Sequence, residues 1–165
     1  MIKTQFVLKC MLFICLSILL SCSKKNDSGW TTYKADEKST SYSALDQINL
    51  SNVNLLENTW TFQMHDLEVG QDPTSSQCNP IIIDQVMYVN SGKQTVYAID
   101  AVTGKEIWAF KALNDGMPSA ASRGVTYWAD GEDKRIIYSA GNSLIAIDAK
   151  TGKIIPSFGQ NGKIN

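Results

Sequence analysis

The fold is decided by an eight-residue stretch that occurs twice. Residues 98–105 read AIDAVTGK and residues 146–153 read AIDAKTGK, so that seven of the eight positions are identical. The two copies lie 48 residues apart, a period that is typical of β-propeller blades rather than of helical repeats. Because the residues that form the turn are repeated together with those of the strand, a chance match is a poor explanation. The repeat predicts a propeller in which each copy belongs to one blade.

Each copy has the pattern of an apolar strand, a turn and a second apolar strand. In the first copy, Asp100 can accept hydrogen bonds from the amides of its own turn, and Gly104 can adopt the left-handed conformation that closes it. Trp108 follows four residues after this glycine and is expected to pack between blades as a core residue. The second copy has Pro156 at the matching position, so it is a degenerate version of the first.

Short runs of β-branched and aromatic residues surround both copies and predict further strands. Asp84 and Gln85 separate two of these runs by the length of a tight hairpin turn. Residues 51–56 could hold one turn of helix, and residues 64–76 are expected to form a polar loop. The predicted strands span residues 59–63, 80–83, 86–89, 95–99, 106–110, 124–128, 135–138, 143–147 and 154–158.

These elements predict an all-β fold that makes up only part of a propeller. Propellers have at least four blades, whereas this chain supplies about two blades and one extra strand. The extra strand, at residues 59–63, could close a ring against the far end of a longer chain. An open ring would expose its sheet edges. We therefore expect residues 30–165 to be an incomplete propeller and the chain to be a fragment.

The first 22 residues have the features of an export signal. Lys3 and Lys9 form a basic start, and an apolar run over residues 10–20 follows. This run is too short for a bilayer span, which takes about 20 apolar residues. Residues 19–22 (LLSC) resemble the lipobox of bacterial lipoproteins. An ordinary signal peptide with a chance cysteine and an uncleaved anchor are the alternatives.

Cleavage at a lipobox would leave Cys22 as a lipid-carrying N-terminus, which holds the protein to a membrane surface. The polar residues 23–29 then form a flexible tether. The expected location is outside the cytoplasm, lipid-anchored on the periplasmic or cell-surface side. With Cys10 and Cys15 removed and Cys22 modified, Cys78 remains alone, so no internal disulfide is expected.

Charge and histidine content exclude two kinds of function. The formal net charge is −1, and it falls further when two lysines leave with the signal, so there is no basic footprint for nucleic acid. The single histidine, His65, has no second His or Cys at metal-ligand spacing, and no metal role is expected for it. Asp130, Glu132 and Asp133 lack the spacing of a calcium loop and are expected to form a solvated turn.

One segment between the two copies resembles a known family. Residues 123–128 (RGVTYW) are similar to a signature of the pyrroloquinoline-quinone (PQQ)-dependent dehydrogenases. Residues 42–49 (YSALDQIN), 77–80 (QCNP) and 157–162 (SFGQNG) also fall in the order of that family. The resemblance runs from about Trp30 to the end and is closest to the glucose-dehydrogenase-like branch. It implies an eight-bladed quinoprotein propeller with the quinone and a calcium ion near its axis.

On this resemblance, Arg123 falls on the arginine that holds the quinone carboxylates. A planar guanidinium can form two parallel charge-assisted bonds to one carboxylate. Gln77 lies where several members have a glutamate that contacts the cofactor. The alternatives are a surface arginine in a turn and a structural residue that starts a hairpin. Trp128 is expected to be a core residue.

Two departures from the family pattern bear on the substrate. Some members carry paired cysteines where this chain has Met117 and Pro118, and glucose dehydrogenases have a histidine at the position of Ser119. The resemblance implies oxidation of a glucose-like aldose or an alcohol, with electrons passing from PQQ to a membrane quinone or a cytochrome.

In this family the calcium ligands and the catalytic aspartate lie further along the chain, and nothing in residues 1–165 is assigned to them. The chain by itself is therefore expected to be inactive. One alternative is a non-catalytic, lipid-anchored propeller scaffold of the kind that assists outer-membrane assembly. Another is a non-functional truncated product.

Overall fold

The computed structural model describes residues 30–66, 76–112 and 123–165. Within them the chain forms one short 3-10 helix, Val53–Leu55, and two four-stranded antiparallel sheets, each in chain order. This confirms the predicted all-β, partial-propeller fold and the turn of helix. The first sheet contains β1 (Ile81–Ile83), β2 (Val86–Asn90), β3 (Thr95–Asp100) and β4 (Glu106–Lys111). The second sheet contains β5 (Thr126–Asp130), β6 (Asp133–Ala140), β7 (Ser143–Asp148) and β8 (Lys163–Ile164).

Some of the sequence predictions concern residues outside the ranges that the structure describes. The predicted signal peptide, the predicted lipidation site Cys22 and the predicted tether lie outside the described residues, and so do Met117, Pro118, Ser119 and most of the predicted polar loop. In the part of the chain that the structure describes, no helix has the length and hydropathy needed to cross a bilayer.

The predicted hairpin between β1 and β2 is present. Asp84 and Gln85 both have positive φ, at 49° and 67°, which is the signature of a two-residue type I′ turn. The backbone twist of this turn matches the right-handed twist of the strands, so Ile83 pairs directly with Val86.

The repeated stretch forms the same turn in both sheets. In the first copy the Oδ1 of Asp100 accepts hydrogen bonds from the amide of Thr103, at 2.7 Å, and from its hydroxyl, at 2.8 Å. In the second copy Asp148 accepts the same pair from Thr151 at 2.7 and 2.6 Å. The glycine of each copy has φ near +70°, as predicted. The Thr103 side chain, followed by its amide, lowers the pKa of Asp100, because these bonds favour the carboxylate.

Trp108 joins the first sheet to the second, which confirms its predicted place between blades. Its half-buried indole lies on the backbone of Gly152, where a Cβ would be only 2.6 Å from the ring. The indole N–H donates to the carbonyl of Ala149 at 3.1 Å, and the Tyr88 hydroxyl donates to the same oxygen at 3.1 Å. The aromatic side chain of one blade therefore packs on the repeat turn of the neighbouring blade.

Trp60 makes the same contact one step earlier along the chain. It lies on Gly104, and its indole N–H donates to Ala101 at 3.3 Å, 41 residues ahead, the same separation as for Trp108. The run that carries Trp60 therefore sits against the first sheet as β4 sits against the second. This is the place that the outermost strand of a preceding blade would take.

The prediction of a strand at residues 59–63 is nevertheless wrong. Side chains alternate there as in a strand, but the backbone forms no ladder with the described residues, because no neighbouring strand is available among them. Trp60, Phe62 and Met64 instead pack on the outer face of the first sheet, against Val89, Tyr97 and Ile99.

The predicted strand at residues 154–158 is also wrong. Ile154 makes a single bridge to Ile147, after which Pro156 has no N–H to donate and the chain turns. The chain then returns, and β8 pairs with β7 through Leu144 and Ile164. The degenerate second copy thus loses its fourth strand at the proline.

The main core lies between the two sheets. Because side chains alternate across a strand, one face of each sheet supplies this layer. The rings of Phe110 and Tyr138 meet edge to face across it, with centroids 6.3 Å apart. Its fully buried members include Ile81, Val96, Ile136, Ile145 and Ile147.

An ion pair fastens the run before residue 66 to the edge of the first sheet. The His65 Nε2 lies 2.7 Å from a carboxylate oxygen of Glu106, and the imidazole packs edge-on against Tyr97 with centroids 5.3 Å apart. The hydrogen bond to Glu106 raises the pKa of His65, an effect that desolvation partly opposes.

We expect the stabilisation from His65 to depend on pH. The folded pKa of His65 lies above the unfolded value, so the contribution is present in full below the ordinary value of 6.5 and is lost as the pH rises through the raised pKa. The free energies of unfolding of wild type and His65→Gln, measured with urea, should differ most below pH 6.5 and converge as the pH rises through the raised pKa. A difference that grew with pH would contradict this, and Glu106→Gln is the matched control because it removes the partner carboxylate.

Candidate functional site

The segments that precede the first strand of each sheet lie side by side. The backbone of Asn79 forms a parallel bridge with Gly124, and the Asn79 amide donates to the carbonyl of Arg123 at 3.0 Å. The bridge brings the run containing Gln77 next to the run containing Arg123. The two residues predicted as cofactor-binding therefore lie close together in the backbone, and both are exposed.

Close backbone approach at this bridge depends on a glycine. Gly124 has φ +146°, a conformation that side-chain-bearing residues rarely adopt, and a Cβ there would lie 3.0 Å from the carbonyl oxygen of Asn79. The residue that follows the arginine in the signature thus permits the contact between the two runs. Sequence reasoning missed this role, because nothing local to residue 124 indicates that residue 79 is its partner.

Cys78 anchors the first run to the body of the first sheet. The thiol sulfur is half-buried and accepts the amide of Asn90 at 3.4 Å, while the Ser76 hydroxyl donates to the Asn90 carbonyl at 3.1 Å. Burial raises the pKa of the Cys78 thiol, which therefore stays protonated at neutral pH and is a poor nucleophile. Its role in this structure is to hold the segment before β1.

The turns at the same end of the sheets are also joined. Since the strands alternate in direction, the β2–β3 and β6–β7 turns lie at the end where β1 and β5 begin. The Gly141 amide donates to the side-chain oxygen of Gln94 at 3.0 Å, which links these two turns. Ser91 donates a very short hydrogen bond to Asp66 and accepts the amides of Lys93 and Thr95. At this end of the molecule, hydrogen bonds therefore link the turns of the two sheets to each other.

The two arginines of the chain differ in their partners. Arg135 is bound by both carboxylate oxygens of Asp133, at 2.8 and 2.5 Å, and its guanidinium lies 5.1 Å from the ring centre of Trp128. Arg123 forms no ion pair with any residue that the structure describes. Its exposed guanidinium is therefore available to an anionic ligand, and the neighbouring Gln77 adds no repelling charge.

Two further sequence predictions concern residues near β5. Trp128 was expected in the core, but it is 43% exposed, because it lies on the sheet face that points away from the first sheet. The predicted solvated turn is confirmed, since Asp130, Glu132 and Asp133 are all exposed. Among the described residues, no three His, Cys, Asp or Glu side chains cluster as a metal site would require.

Comparison with known proteins gives a consistent result. The family model described as "PQQ: Glucose/ethanol/alcohol dehydrogenase, beta-propeller domain" matches residues 30–165. The quinoprotein glucose dehydrogenase of Escherichia coli K12 is 29% identical over 156 residues, covering 84% of this chain and 20% of that protein. The dehydrogenase subunit of the alcohol dehydrogenase (quinone) of Gluconacetobacter polyoxogenes is 36% identical over 132 residues, covering 76% of this chain and 17% of that protein.

A solved structure supports the same relationship. The quinohemoprotein alcohol dehydrogenase of Comamonas testosteroni superposes with a TM-score of 0.66 at 32% identity, over 78% of this chain and 19% of that one. The chain spans about a fifth of the length of the relatives it matches. Glucose and alcohol dehydrogenases match with similar identity, so the comparison does not separate the two branches. Since the family model covers most of the chain and the strands form propeller blades, the chain belongs to the PQQ-dependent glucose/ethanol/alcohol dehydrogenase β-propeller family.

Proposed function

We propose that residues 30–165 form the opening part of a quinoprotein dehydrogenase that oxidises a glucose-like aldose or an alcohol with PQQ. The observation that carries the proposal is the exposed guanidinium of Arg123. It stands in the family signature, next to the run that holds Gln77, and pairs with no carboxylate among the described residues.

The donor set suits this cofactor. PQQ carries three carboxylates, and bound PQQ supplies the acceptor for the two electrons removed from the substrate. Arg123 would hold one carboxylate through two parallel charge-assisted hydrogen bonds. Gln77 would donate its amide N–H to a carboxylate, which an ionised glutamate at that position would repel. The part played by these residues is to bind and orient the cofactor.

The chemical step requires groups that these residues do not provide. Calcium would polarise the quinone and an aspartate would take the substrate proton, and both belong to other segments of the family fold. We expect the 165-residue chain alone to show no dehydrogenase activity.

The proposed setting is a membrane surface outside the cytoplasm. Lys3, Lys9 and the apolar run 10–20 support export, and residues 19–22 support a lipid on Cys22. An anchor with a short polar tether would keep the enzyme near a membrane quinone or a cytochrome, which we propose as its electron acceptor. We expect mass spectrometry of the mature wild-type protein to find a lipid-modified Cys22 at the N-terminus. An N-terminus that carries no lipid in the wild type would contradict the lipid anchor.

The function is tested by reconstitution of the full-length protein. We expect the protein loaded with PQQ and calcium to reduce an artificial dye when an aldose or an alcohol is added, and to lose this activity when calcium is chelated. A panel of aldoses and primary alcohols separates the two branches of the family. Absence of PQQ binding would favour the alternative of a non-catalytic scaffold.

A further inference from the structure

We propose that Gly124 and Asn79 are positioning residues, which fix the backbone of Arg123 so that its guanidinium reaches the quinone. The inference rests on the proposed function, since it assigns a role toward the same cofactor. It concerns two residues that do not contact the cofactor themselves and act through the arginine.

The first argument is the way in which the arginine backbone is held. Its carbonyl accepts the Asn79 amide at 3.0 Å, and the next residue, Gly124, is bridged to the same partner. Immediately after it, Val125 is only 6% exposed and belongs to the core between the sheets. The arginine thus has an exposed side chain on a backbone that is fixed at the carbonyl and at the two following residues.

The second argument is that the partner run is equally well fixed. Cys78 is tied to Asn90 by its sulfur, and Ile81 is completely buried. Asn79 therefore offers its amide from a rigid position. A bidentate contact between planar groups depends on orientation, so a fixed backbone on both sides favours it.

The third argument is the tight contact and the unusual φ that a side chain at residue 124 would have to accommodate. A Cβ on Gly124 would meet the Asn79 carbonyl oxygen at 3.0 Å, and the φ of +146° is strained for any residue but glycine. The contact would push the two runs apart, and the strain would favour a different backbone conformation at residue 124. The neighbour that would have to move is backbone, which cannot rotate away as a flexible side chain can.

The chain offers a matched control for this position. Gly131 also has positive φ, at +57°, but a Cβ there would meet no atom within 4 Å. Gly131→Ala therefore imposes backbone strain without contact, in the β5–β6 turn at the opposite end of the second sheet.

The first measurement uses the wild-type protein, and its outcome does not depend on a variant that folds. Binding at Arg123 and formation of the bridge should stabilise each other, because coupling between two events is reciprocal. We expect hydrogen exchange at the Asn79 amide to slow at least tenfold when PQQ is added. Failure of the wild type to bind PQQ would overturn the proposed function and this inference together. Binding with unchanged exchange at Asn79 would overturn the positioning role alone.

The second measurement compares the two alanine variants by PQQ titration, followed by quinone absorbance or by equilibrium dialysis. We expect Gly124→Ala to raise the Kd for PQQ at least tenfold and to speed exchange at the Asn79 amide. Gly131→Ala should change neither quantity. Equal PQQ affinity in Gly124→Ala and wild type would overturn the inference, as would equal losses in the two variants.

Discussion

Replacing Trp108 by alanine is expected to lower the free energy of unfolding by about 2–4 kcal/mol, somewhat less than for a fully buried tryptophan. The indole fills the space between β4 and the repeat turn of the second sheet, and its N–H donates to Ala149. Truncation leaves a gap between the sheets that the short turn cannot fill. The Tyr88 hydroxyl still donates to the Ala149 carbonyl, so the loss is mainly one of packing.

The opposite side of the same contact gives a sharper test. Gly152→Ala places a Cβ 2.6 Å from the indole at φ +68°, so it combines overpacking of about 1–3 kcal/mol with backbone strain of about 1–2 kcal/mol. In the double variant that combines Trp108→Ala with Gly152→Ala, the indole is absent and only the backbone strain at residue 152 remains. The double variant should therefore be less destabilised than the sum of the single variants, by about 1–3 kcal/mol.

Urea unfolding of wild type, the two single variants and the double variant measures this coupling. Gly131→Ala is the control for strain without contact and should cost only about 1–2 kcal/mol. Strict additivity of Trp108→Ala and Gly152→Ala would show that the indole does not rest on the glycine.

The parts of this fold that could be predicted from the sequence are those with local causes. The hairpin at Asp84 and Gln85, and the turn made by Asp100 with Thr103, depend on residues a few positions apart. Their geometry is set by left-handed φ values and by a carboxylate that accepts nearby amides. The repeat then placed the same turn in the second sheet.

The errors occur where pairing is not local. Residues 59–63 have the alternation of a strand, but a strand also needs a neighbour, and none of the described residues supplies one. β8 was missed because Pro156 ends the expected strand and the chain returns from further along. Trp128 was misplaced because alternation shows that a face exists, but not which face another sheet covers.

The candidate site also combines a feature with a local sequence signal and a contact that depends on distant residues. The proposed cofactor role of Arg123 comes from the resemblance of residues 123–128 to the family signature, and the structure adds that its side chain is exposed. The contact that brings Gln77 beside it, through Asn79 and Gly124, joins two sheets and has no local signal. A positive φ at a glycine becomes informative only when the neighbouring backbone is known.

Arg123→Ala is expected to weaken PQQ binding by roughly ten- to a hundredfold. Hydrogen bonds to charged groups contribute about 1.5–3 kcal/mol, and about 1.4 kcal/mol corresponds to a tenfold change in Kd. Arg123→Lys keeps the charge but lacks the planar guanidinium, so its affinity for PQQ should lie between those of wild type and Arg123→Ala. The Kd is measured by titration of the calcium-loaded, full-length protein with PQQ.

The control for this prediction is the second arginine of the chain. Arg135→Ala removes the same charge, but its guanidinium is already paired with the carboxylate of Asp133 and lies over Trp128, so Arg135 is not expected to bind a quinone carboxylate. If charge alone attracted the tricarboxylate, both variants would lose affinity alike, and added salt would remove their difference from wild type. If the arginine in the signature binds a carboxylate directly, only Arg123→Ala loses affinity and Arg123→Lys recovers part of it. Equal affinity in Arg123→Ala and wild type would remove Arg123 from the cofactor site, and with it the observation that carries the proposed function.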